Sequence, residues 1–144
     1  MNKLTKEAIV AAAMALGISS VALADDDTKG CSVATLNGVY VFAATGYNIV
    51  SGLAQPKAIV EVIDFNGDGT LTVPAATRSV NGTIAESPPG GTGVYAVDVG
   101  CTGKLTFTGG PKFDLFIPPN GKEIWMIQTD PNTVLQGTVT RVSH

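Results

Sequence analysis

The sequence predicts an all-β protein: a single antiparallel sheet of eight strands closed into a barrel, with a two-sheet β-sandwich as the alternative. Three observations carry that prediction. Gly and Pro, 17 and 8 in 144 residues, recur every few positions beyond the N-terminal stretch and cut the chain into short runs. β-Branched and aromatic residues fill those runs. Within several of them apolar and polar residues alternate, which is the period of a strand with one buried face.

The first element is a leader. Lys3 and Lys6 give a positive start, Ala8 to Ile18 is an apolar run broken only at Gly17, and Ala22-Leu23-Ala24 is a small-x-small cleavage site. The run is shorter than the roughly 20 residues that span a bilayer, and nothing later in the chain approaches that length, so no membrane span is expected. Residues 1–24 are therefore read as a signal peptide, 25–38 as an N-terminal segment holding Cys31, and 39–144 as the barrel. The product is expected in the periplasm or outside the cell. In such a compartment Cys31 and Cys101, the two cysteines of the chain, are expected to form a disulfide.

The strands follow in order: Val39–Tyr47, Ala58–Phe65, Gly69–Val73 continuing to Thr83, Gly93–Val99, Gly103–Thr108, Lys112–Ile117, Glu123–Thr129 and Thr133–Val142. Leu105 and Phe107 oppose Lys104, Thr106 and Thr108; Phe113, Leu115 and Ile117 oppose Lys112 and Asp114. Ala58–Phe65 is apolar on both faces except at Glu61 and Asp64, as for a strand also covered on its outside. Short connections between consecutive strands suit an up-and-down meander, and closing it removes exposed edges. Pro118-Pro119-Asn120-Gly121 reads as a tight turn.

Few chemical motifs stand out. Asp64-Phe65-Asn66-Gly67-Asp68-Gly69 matches the first half of a calcium-binding EF-hand loop, making Asp64, Asn66 and Asp68 a weak calcium candidate. The twelfth loop position, which should hold a bidentate Glu, is Ala75, so a β-hairpin turn is the stronger reading. A Ser-His-acid arrangement needs a positioned imidazole, and His144 is the last residue. No catalytic residue, resident metal or cofactor is expected. Net charge is −3, and the leader holds two Lys and one Glu, so its removal leaves −4 with Lys and Arg scattered singly. That pattern gives no footprint for nucleic acid.

Three segments resemble a known group: Leu36-Asn-Gly-Val-Tyr-Val-Phe-Ala-Ala-Thr-Gly-Tyr47, Phe65-Asn-Gly-Asp-Gly-Thr-Leu71 and Gly93-Val-Tyr-Ala-Val-Asp-Val-Gly-Cys-Thr-Gly-Lys-Leu-Thr-Phe107. They are similar to exported bacterial proteins grouped with allene oxide cyclase-like barrels, a calycin-type architecture. The resemblance implies an eight-stranded barrel. It carries over no functional residue, because none of the cyclases' functional residues is matched here.

A barrel of this size either fills with side chains or holds one small ligand. The leading expectation is a non-catalytic exported barrel that binds a small apolar molecule or a partner. A cyclase or isomerase that moulds its substrate, and a structural envelope-associated protein with a packed core, are the alternatives. The residues singled out for a lumen are Tyr40, Phe42, Glu61, Arg78, Tyr95, Phe107, Glu123 and Trp125. A hollow interior would set the packed structural protein aside, and a buried ionisable group within it would favour chemistry over carriage.

Overall fold

The computed structural model describes residues 30–143, so the expected leader and His144 lie outside the described residues. β1 (Asn37–Val50) and β2 (Leu53–Asn66) form a long hairpin, followed by β3 (Thr70–Val80), β4 (Thr83–Ser87), β5 (Gly91–Val97) and β6 (Thr102–Phe107). β7 (Lys112–Phe116), β8 (Glu123–Gln128) and β9 (Thr133–Ser143) complete one antiparallel sheet. β9 returns to pair with β1, and β2 pairs with β3, so eight strands close on themselves and β4 is extra. The fold is the expected barrel and not the sandwich.

The ninth strand departs from the sequence reading. The single run drawn from Gly69 to Thr83 ends instead at a turn made by Asn81 and Gly82, with φ of 49° and 82°. Positive φ at both central residues defines the hairpin turn for which Asn-Gly is the best dipeptide. Thr83–Ser87 then runs back along β3 as β4. Ser51 and Gly52, with φ of 51° and 78°, make the same kind of turn and carry the first hairpin beyond Tyr47 to Val50.

β3 is kinked in the middle. Its register against β2 passes from Asp64↔Thr72 to Val62↔Ala75, so Val73 and Pro74 together oppose Ile63. Pro has no N–H to give a ladder, and a bulge is where a strand tolerates it. On one side of the bulge Thr70–Val73 pairs with β5; on the other side Ala76–Val80 pairs with β4. The barrel wall is therefore parted at one end between β3 and β5.

The opposite end is sealed. Inward-facing Phe42, Ile63, Phe65, Leu71, Leu105, Leu115, Ile124, Met126, Leu135 and Val139 are buried, and Phe65 meets Tyr40 and Tyr95 edge to face at 5.1 and 5.0 Å between ring centres. A single 3-10 turn, Val33–Thr35, places Leu36 wholly inside. Tyr95 Oη donates to the carbonyls of Val33 and Leu36, at 3.0 and 2.9 Å. Tyr40 Oη donates to Gly121 O at 2.7 Å and accepts from Arg141 Nε at 2.9 Å. Arg141 Nη2 also reaches Thr35 O at 3.2 Å, so every polar tip at this end has a partner. The Cys31–Cys101 disulfide, with Cα atoms 4.8 Å apart, ties the entering segment to the β5–β6 connection. Pro118–Gly121 is the expected turn, closed by Gly121 N–H to Pro118 O at 2.8 Å.

Candidate functional site

The parted end contains a cavity of about 380 Å³. Its walls come from alternate residues of adjoining strands: Lys57, Ile59 and Glu61 on β2, Val73, Ala76, Arg78 and Val80 on β3, and Phe107 on β6. Asn48 of β1, Ser87 of β4, Gly91 of β5, and Pro88, Gly110 and Pro111 from the connections complete the lining. The volume lies in the lower part of the range found for small-molecule sites, roughly 300–1,000 Å³. The lumen is thus filled at the disulfide end and hollow at the other.

Among the described residues Glu61 is the one buried charged side chain, 8% exposed. Period two makes this unavoidable. Its strand neighbours Ile59, Ile63 and Phe65 share its inward face, and in register it lies between Phe42 on β1 and Ala76 on β3. Its Oε1 is shut off from solvent with no hydrogen-bond partner. A carboxylate in such surroundings loses its hydration and gains nothing in exchange, whereas the neutral acid loses far less. Desolvation accordingly pushes the Glu61 carboxyl up to about 7.

Two cations face the same cavity. Burial and the nearby Arg78 guanidinium hold the Lys57 ammonium below its usual range, against a smaller opposing pull from Asp130. Lys57 Nζ donates to Gln128 Oε1 at 3.3 Å, which turns it along the wall toward β8. Neither Lys57 nor Arg78 forms an ion pair with Glu61. The site is an apolar hollow whose buried carboxyl keeps its proton up to about pH 7, with two cations on its walls.

Of the residues singled out from sequence, Glu61, Arg78 and Phe107 meet at this cavity. Tyr40, Phe42 and Tyr95 point inward but belong to the packed part of the lumen, where Phe42 stacks edge to face on Phe113 at 5.6 Å. Trp125 and Glu123 point outward from β8. Trp125, 47% exposed, borders a shallow groove on the outer wall with Ala43, Ala58 and Val60, and Glu123 borders a surface hollow beside Lys122 and Arg141. Lys57, Asn48 and Ser87 were not singled out. Lys57 shares the odd-numbered face of β2 with Glu61 but lies one residue before the expected strand Ala58–Phe65. Asn48 and Ser87 depended on the two hairpin extensions and had no such signal.

The Asp64–Gly69 segment is the β2–β3 turn. Asn66 Nδ2 donates to Thr70 Oγ1 at 2.8 Å, and Thr70 donates its amide N–H and its hydroxyl to Asp68 Oδ1 at 2.9 and 2.6 Å. Those two bonds hold the Asp68 carboxyl below the usual carboxylate range. Asn66 and Asp68 thus serve the turn itself, as short polar side chains do in turns of this kind. Among the described residues no group of three or more His, Cys, Asp or Glu is placed to hold a metal ion.

Comparison with known proteins adds nothing to these observations: no family model matches the chain, and neither a curated protein nor a solved structure matches it.

Proposed function

We propose that the protein is an exported carrier or receptor barrel that takes a small, mainly apolar molecule into the hollow end of its lumen. The observation that supports this most strongly is the contrast between the two ends. One is closed by Leu36, the Tyr40–Arg141 bonds and a disulfide; the other keeps a cavity of about 380 Å³ between β2, β3 and β6. Export fits the disulfide, which persists in an oxidising compartment. Native mass spectrometry of protein purified from its own host tests the reading. A retained small molecule that is lost when Ala76 is replaced by Trp, which fills the cavity, is the expected result. An empty protein that also binds none of a panel of apolar probes would contradict it.

A second reading, a cyclase or isomerase, is favoured by Glu61. A neutral acid inside an apolar mould can protonate or hydrogen-bond a reacting oxygen, and perturbed carboxyls cluster at active sites. Turnover of a bound molecule that stops in Glu61→Gln would distinguish this reading from carriage.

A further inference from the structure

Resting on the binding role proposed above, we propose that the cavity selects an uncharged ligand carrying a hydrogen-bond acceptor, such as a ketone, ester or ether oxygen, and holds it by the carboxyl proton of Glu61. The geometry narrows the choice. Glu61 is more than nine-tenths buried, lines the cavity, and leaves Oε1 without a partner among the described residues. Its neighbours across the strands, Phe42 and Ala76, offer no acceptor from their side chains. A carboxylic acid has one proton to donate, so the complementary group on a ligand is an oxygen with a free lone pair.

The charged groups around Glu61 decide against a cationic ligand. Lys57 on its own strand and Arg78 on β3 face the same cavity, with Asp130 beyond Lys57. β1, β4 and β6 contribute Asn48, Ser87 and Phe107, which do not titrate. A cationic ligand would meet two fixed cations. An anionic ligand could pair with Lys57 and Arg78 near the rim, but its charge would make no use of Glu61 and its affinity would not follow that group. Burying the neutral oxygen of a ketone against the acid costs least, because donor and acceptor satisfy each other.

Holding is therefore linked to protonation. Deprotonating Glu61 removes the donor and places a carboxylate against a lone pair, so the ligand leaves as pH rises. For a group titrating near 7, the protonated fraction falls about tenfold between about pH 6 and about pH 8, and affinity falls with it.

Isothermal titration with menthone as the neutral ketone and cyclohexanecarboxylate as the anion tests this on wild type, Glu61→Gln and Glu61→Leu. Wild type should bind menthone about tenfold more weakly at the higher pH. Glu61→Gln keeps an N–H donor that does not titrate, so its affinity should stay near the low-pH value throughout. Glu61→Leu should bind weakly at both. A flat wild-type profile, a pH dependence that survives in Glu61→Gln, or tighter binding of the carboxylate would overturn the proposal while leaving the carrier role intact. Failure of both probes to bind at either pH would instead remove the binding role itself.

Discussion

Replacing Glu61 by Gln should make the protein more stable at alkaline pH and leave it nearly unchanged at mildly acidic pH. In the unfolded chain the carboxyl titrates at its ordinary value of 4.5; in the folded barrel burial moves it to about 7. The folded state therefore binds the proton more tightly. Its contribution is fully present below the unfolded value and is lost as pH rises to and through the folded one. At 1.36 kcal/mol per pH unit, that gap is worth about 3 kcal/mol at about pH 8. Asp68 and Asp130, both held low by hydrogen bonds, act with the opposite sign and only at more acid pH, so they do not overlap this window. Urea unfolding of wild type and Glu61→Gln at about pH 5 and about pH 8 gives the difference directly. The variant should gain about 2 to 3 kcal/mol relative to wild type over that interval. A difference that is the same at both pH values would refute the reasoning, since it would mean that Glu61 ionises in the folded state without penalty.

Other perturbations have definite outcomes. Converting Cys31 and Cys101 to Ser releases a link between residues 70 apart and should lower stability by about 4 kcal/mol on the chain-entropy model, measured by denaturant unfolding of variant against oxidised wild type. Tyr40→Phe leaves Gly121 O and the Arg141 guanidinium without their buried partner and should cost about 1–3 kcal/mol, with Arg141→Ala adding little in the double variant because the two share one network. Gly137→Ala should prevent closure of the β1–β9 seam: a Cβ there would run into the carbonyl of Ala43 and the Cα of Ala44, and loss of the folded far-UV circular dichroism spectrum or of solubility reports it.

The barrel was legible because its strands alternate. Leu105/Phe107 and Phe113/Leu115/Ile117 lie inside as their period required, and Lys104 and Asp114 form an ion pair at 2.8 Å on the outside. Glu61 was legible for the same reason, as the one acid in phase with Ile59, Ile63 and Phe65. Tyr40 and Tyr95 were ambiguous. Period two says that a side chain points into the lumen but not how far along the axis it lies, and that position separates packed from hollow. Trp125, directly paired with Phe116 across β7 and β8, shows the opposite failure: its aromatic character suggested an interior, yet it sits on the outer face. The extra strand was missed because the run from Gly69 was carried on to Thr83, although Asn81-Gly82 within it is the strongest short-range signal of a hairpin. The kink at Pro74, which parts β3 from β5, sets the shape of the cavity; the expected run already divides after Val73, at that residue, but nothing in the pattern gave the direction in which the strand turns aside.

The Glu61 side chain can be observed directly. A carbon-13 NMR titration of its carboxyl resonance in the folded protein, assigned by its disappearance in Glu61→Gln, should give a midpoint near 7. A midpoint at the ordinary 4.5 would mean that the hollow end is wetted and polar, and the account of this barrel as an apolar vessel with a neutral acid inside would be contradicted.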